Sequence, residues 1–183
     1  MRALILKYKL VIRFIVTFLA VYGMLILGYH LYLKFSDGSQ FYPDYITNLV
    51  ARQTNTVING FGYNASILPH SNEPSIKVII NGEFVARVIE GCNAVSIIIL
   101  FVAFVVAFSG SWKTTLIYCF AGSIIIYAFN IMRIVILSIG LYHYPEHQEL
   151  LHKVIFPMFI YGVVFILWMV WVNRFSKKLK TNA

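Results

Sequence analysis

The stretch EGCNAVSIIILFVAFVVAF, residues 90–108, is where a polar segment turns into a long apolar run, and it carries a lone cysteine two residues after a carboxylate. The apolar run reads as a membrane span. The cysteine is then either packing material at a membrane boundary or a nucleophile. The rest of the chain supports the membrane reading. Of its 183 residues 60% are hydrophobic and only 12% charged, with mean hydropathy +0.77, which is too little polar material to cover a soluble domain of this length. A span needs roughly 20 apolar residues, and four segments qualify: 11–33, 92–108, 115–141 and 153–172. The second is short if it begins at Asn93, so its ends are open. The first has an apolar run too long for a signal peptide and no small-x-small cleavage site before residues 34–38, so it reads as an uncleaved anchor. The expected fold is an all-α membrane protein: a bundle of about four transmembrane helices with a small outer-side segment of one helix plus a β-hairpin.

Charge sets the expected orientation. The N-terminus (1–10 and the start of the first span) carries Arg2, Lys7, Lys9 and Arg13, the loop 109–114 carries Lys113, and the tail 173–183 carries Arg174, Lys177, Lys178 and Lys180. These segments hold no acid. All seven acids, Asp37, Asp44, Glu73, Glu83, Glu90, Glu146 and Glu149, lie in segments 34–91 and 142–152. With four spans the basic segments share one side, cytoplasmic by the positive-inside rule, and both termini lie there. The net charge of +8 thus reflects topology rather than a nucleic-acid surface.

Segment 34–91 is the one sizeable outer piece. Within it YPDYITNLVARQTNTVINGFG reads as a helix, with Pro43 near its first turn, Gly60 past its end, and Ile46, Leu49, Val50, Val57 and Ile58 on one face. SIKVIINGEFVARVIEG reads as a hairpin, two β-branched runs about Asn81-Gly82, the pair that suits a type I′ turn. Too short for an independent domain, the segment reads as a cap over the outer helix ends. No repeat, glycine-rich phosphate loop or paired-cysteine metal motif is found, and no metal or cofactor is expected. His143 and His147 stand four apart, but without a convincing third ligand they read as a solvated loop.

Three residues carry candidate chemistry. A disulfide between Cys92 and Cys119 would have to cross most of the bilayer, so Cys92 is a free thiol on the oxidising side and Cys119 a small core hydrophobe. Arg133 sits in an apolar run, where an arginine costs at least about 2.5–3.5 kcal/mol on insertion scales and is a functional candidate by default. Ser123, Tyr127, Asn130 and Arg133 form one polar stripe that faces the bundle. Placed about five residues outward of the span's midpoint, Arg133 starts below the cysteine and must extend back outward to meet it. His152 opens the last span at the depth of Cys92, with Glu149 one turn earlier to orient its ring. A thiol needs a nearby cation or histidine to lower its pKa, a histidine can protonate a leaving amine, and an arginine can hold an oxyanion. The set suits acyl transfer through a thioester.

At residues 88–172 the chain resembles the exosortase/archaeosortase family of membrane transpeptidases, and most closely its compact exosortase F type. The marks are Cys92-Asn93-Ala94, Asn130-x-x-Arg133 and His152, in that order. Many members carry Ser-Gly after the cysteine, where Asn93-Ala94 stands here, and many have about twice as many spans. The resemblance implies a cysteine transpeptidase of the bacterial inner membrane with its site facing outward. Catalysis would fall to Cys92, Arg133 and His152, with Asn130, Asn93 and Glu149 in support. The substrate it implies is a secreted protein with a C-terminal sorting signal, made of a short motif, one transmembrane helix and a basic tail. The acceptor nucleophile is left open. Ala103, Ala107, Ala121 and Gly122 would either admit that helix or pack the bundle, and packing is the expectation. Two other classes fit the residues: a non-enzymatic membrane scaffold in which Arg133 only joins helices, and a thiol redox or S-acyl-transfer protein, the redox version lacking a second outer cysteine.

Overall fold

The structure, a computed structural model, describes residues 8–36, 41–108 and 110–175, and for His152, Lys153 and Phe156 the backbone alone. Of the charges used above, Arg2, Lys7, Asp37, Lys177, Lys178 and Lys180 lie outside the described residues.

Helix α1, Lys9–Ser36, is apolar nearly all round: its most hydrophobic window buries nothing inside the protein, and Tyr29 is its buried residue. A helix of this kind is stable in lipid rather than water. Helix α2, Tyr45–Gly60, begins at Asp44, whose carboxylate accepts from the Thr47 amide at 3.0 Å. The buried face is Thr47, Val50, Ala51, Thr54 and Ile58, rotated from the face expected, so that Ile46, Leu49 and Val57 are only half-buried. Small and hydroxylated side chains on that face suit the packing of α2 against the long helix Trp112–His143. Pro43 precedes the cap and Gly60 is the last helical residue, since the reversal of the chain falls at Gly62, with φ +89°.

A three-stranded antiparallel sheet follows, in the order β1 (Ala65–Pro69), β2 (Ser75–Ile80), β3 (Glu83–Ile89). The β2–β3 hairpin turns at Asn81 and Gly82, with φ of 51° and 88°, the paired positive values a type I′ turn requires. The expected two-stranded hairpin is therefore a sheet of three. ASILP gives little sign of being a strand: it is short, ends in proline, and buries only Ala65.

Helix α3 is Val95–Ala107 and α4 is Trp112–His143, capped by Ser111, which accepts from the Thr114 amide. The segment expected as the loop 142–152 is largely helical: a 3₁₀ turn at Pro145–His147, a turn at Gln148–Leu150 and a π-helical turn at Leu151–Ile155 lead into α5, Phe156–Val170. Among the described residues three helices are long and apolar enough to cross a membrane: α1, α4 and Pro157–Phe175. The fourth apolar helix, α3, has 13 residues and spans about 20 Å against a hydrocarbon core of about 30 Å. Helix α4 has 32 residues, about 48 Å, and overshoots that core.

The mismatch divides the interior in two. One cluster joins α3, α4, α5 and the π-helical turn after it, Trp171–Phe175, through Phe101, Val105, Ile126, Ile160, Val164 and Trp171. The other covers the far half of α4, Ile131, Ile134, Val135, Leu137 and Leu141, with α2 and the sheet. Gly122 packs the first cluster, since a Cβ there would collide with the Phe101 ring. Ala103 is fully buried, whereas Ala121 is exposed.

Candidate functional site

Strand β3 passes into a 3₁₀ turn, Glu90–Cys92, and α3 starts at Val95. Between them Ala94 takes φ +66°, a left-handed value that costs a residue with a Cβ about 1–2 kcal/mol. The turn is held from three helices. From α4, Asn130 donates its side-chain amide to the Cys92 carbonyl at 2.7 Å. Asn93, 1% exposed, spends both donor positions of its amide, one on the Tyr29 hydroxyl of α1 at 2.7 Å and one on Thr47 Oγ1 of α2 at 3.2 Å. Its Oδ1 accepts from the Val95 amide at 3.0 Å, closing the start of α3. Tyr32 donates to the Asp44 carboxylate at 3.1 Å, which ties α1 to the cap of α2. A cysteine on such a turn has little backbone freedom.

The Cys92 side chain is half-buried and opens on a cavity of about 650 Å³ that Arg133 also lines. The remaining wall comes from β3 (Phe84, Val85, Ala86, Arg87), from His70, from Ile134, Leu137 and Leu141 of α4, from Gln148 and Glu149 of the helical turns leading into α5, and from Pro157 of α5 itself. Arg133 makes no hydrogen bond or ion pair with a described residue, and its Nε is buried without a partner. The bonds to backbone carbonyls that would make it a helix tie are absent among the described residues.

The relation of Arg133 to Cys92 differs from the expectation. Asn130 lies level with the Cys92 carbonyl, and Arg133 is one turn further along α4, about 4.5 Å toward the sheet. It starts beyond the cysteine, not below it, because α3 is too short to reach the end of α4. Helical side chains lean toward their helix N-terminus, here back toward Cys92, so the arginine need not double back.

The other expected residues fall as follows. Tyr127 bonds Gln53 of α2 at 2.7 Å, and Ser123 bonds its own helix at the Cys119 carbonyl. Tyr127 and Asn130 face protein, as polar residues in a membrane helix must. Cys119, half-buried, packs in the α3–α4–α5 cluster. His143 is hydrogen-bonded to Tyr63 at 2.9 Å and His147 lies 3.4 Å from Glu146. Glu149 lines the cavity. His152 stands on the π-helical turn between the lining residues Glu149 and Pro157; its side chain lies outside the described residues.

A family model described as transmembrane exosortase matches residues 3–174, nearly the whole chain. The chain belongs to the transmembrane exosortase family. At the family level this is a membrane-embedded sorting transpeptidase, and the exosortase resemblance carried by Cys92, Asn130-x-x-Arg133 and His152 extends well beyond those motifs. No match is found among curated proteins or solved structures.

Tyr29, Thr47 and the β3 wall of this candidate site escaped the sequence reading. Asn93 meets Thr47 and Tyr29 across 46 and 64 residues of chain, and nothing local marks such partners.

Proposed function

We propose that the chain cleaves and transfers C-terminal sorting signals through a Cys92 thioester. The Cys92 thiolate attacks the scissile carbonyl carbon, and the resulting oxyanion is held by Arg133. The tetrahedral intermediate collapses by breaking the C–N bond. His152 gives its proton to the departing amine, which leaves with the transmembrane helix and basic tail. An acceptor nucleophile then attacks the thioester, yields its proton to His152, and releases the Cys92 thiolate. The substrate is a secreted protein with that tail. The site faces outward from a bacterial inner membrane, with both termini cytoplasmic.

The observation that carries this reading is the shared cavity: a half-buried thiol on a turn pinned by three helices, and a guanidinium with an unpartnered buried nitrogen, line one space. A buried donor without an acceptor costs about 1–3 kcal/mol, and more when charged. An incoming carbonyl oxygen would remove that cost most fully when it becomes an anion. Such preference for the developing charge is what accelerates a reaction.

The test compares Cys92→Ala with Cys119→Ala in cells. Cys92→Ala accumulates in the membrane but leaves tailed proteins unprocessed, and Cys119→Ala processes normally. Mass spectrometry of the parent chain finds a peptide acyl group on Cys92. Equal processing by the two variants, or a lipid acyl group in place of the peptide, overturns the reading.

A further inference from the structure

The two edges of the sheet are treated differently. The edge strand β1 is closed off: Asn59 of α2 accepts from the Ala65 amide at 2.7 Å and donates to the Ala65 carbonyl at 3.0 Å, and the strand ends in Pro69, which has no amide hydrogen to offer. The opposite edge, on β3, has no such cover. Among the described residues nothing but β2 hydrogen-bonds the β3 main chain. A bulge opposite Val78 and Ile79 leaves Val85 as the extra residue of the strand.

Four consecutive β3 residues, Phe84, Val85, Ala86 and Arg87, line the cavity that holds Cys92 and Arg133. Successive strand residues point to opposite faces of a sheet. Ala86 is buried against the core, and Phe84 and Arg87 are turned outward. A space that touches both sets must abut the strand's edge, where unpaired amides and carbonyls lie. Strand β3 ends at Ile89, and the turn bearing Cys92 follows at once.

We propose that this free edge takes the segment of the substrate just before its transmembrane helix as an added strand, parallel to β3, and so carries the scissile carbonyl to Cys92. The proposal rests on the transpeptidase reading above and names how that substrate binds. Main-chain pairing of this kind holds an extended peptide largely irrespective of its side chains. The direction follows from both chains. Strand β3 runs toward Cys92 and into α3, and a sorting signal runs from its secreted body through its motif into its helix. Laid side by side, they are parallel. From Phe84 to Ile89 the edge is about 17 Å long, room for a motif of about five or six residues.

The probe is the photoreactive residue p-benzoylphenylalanine, placed at Phe84 or at Arg87 in the full chain in cells. Substrates are defined as proteins that lose their C-terminal tail with the parent chain and keep it with Cys92→Ala. Each photoreactive chain with Cys92 intact must first process that set; a position that fails is replaced by Val85. In the Cys92→Ala background, crosslinks from both positions are expected on the extended segment before the substrate's helix, those from position 87 closer to the helix than those from 84. The reverse order, crosslinks on the helix itself, or none to a set that is still processed, overturns edge pairing and leaves the transpeptidase standing. An empty set overturns both.

Discussion

Arg133→Lys keeps the positive charge but loses the planar fork of donors. If the arginine holds an oxyanion, the lysine chain accumulates normally and processes substrate about 10²–10³-fold more slowly, the loss typical of one such donor. Normal processing, or activity lost only in proportion to the protein, makes Arg133 structural. Ala94 offers a second test beside it. It stands where the resemblance implies glycine, and its left-handed φ explains the preference for glycine at that position. Ala94→Gly relieves that strain but loses a buried methyl, so its stability stays within about 1 kcal/mol of the parent. Ala94→Val adds β-branching at positive φ and lowers stability by about 2 kcal/mol or more, read by thermal unfolding in detergent. The residue beside it, Asn93, accepts the Val95 amide at its Oδ1. With Asn93-Ala94 in place of Ser-Gly, the turn has a side-chain acceptor for the Val95 amide and retains backbone strain at Ala94.

At the scale of elements, helix contacts decide where the cysteine sits. The fully buried Phe101 ring of α3 occupies the space where a Gly122 side chain would be. Gly122→Ala overpacks that contact and costs about 1–3 kcal/mol, with a matching fall in membrane accumulation. Gly162, in α5, has open space where its Cβ would go, so Gly162→Ala is neutral or stabilises by about 0.5–1 kcal/mol. Equal losses in both would show that glycine is needed for something other than the Phe101 contact. The short α3 and the long α4 together leave Cys92 partway along α4, under the sheet. That placement makes β3 a wall of the Cys92 cavity rather than a remote cap.

For the whole molecule, the charge pattern makes a topological prediction. A reporter active only outside the cytoplasm should be silent when fused after Ala183, and active when fused near Ser71 with the chain truncated there. The opposite pattern would put Cys92 in the cytoplasm and remove the sorting proposal. Helix α3 bears directly on this, because at about 20 Å it crosses a bilayer core of about 30 Å only with help from its flanking turns or local thinning.

The sequence alone determined that the chain is a mostly helical membrane protein, because hydropathy and the segregation of acids from bases act over whole segments and need no tertiary partner. It also determined the β2–β3 hairpin, since Asn81-Gly82 is a local turn signal, and it singled out Cys92, Arg133 and His152 as catalytic candidates, with Asn130 in support. Only the tertiary structure decided the third strand, whose short run ASILP is made a strand by pairing with β2. It alone showed that Asn93 is held by Tyr29 and Thr47, that Arg133 starts on the sheet side of Cys92, and that the edge of β3 borders their cavity. Each of these depends on helix lengths and on contacts between residues far apart in the chain, and a sequence read locally carries neither.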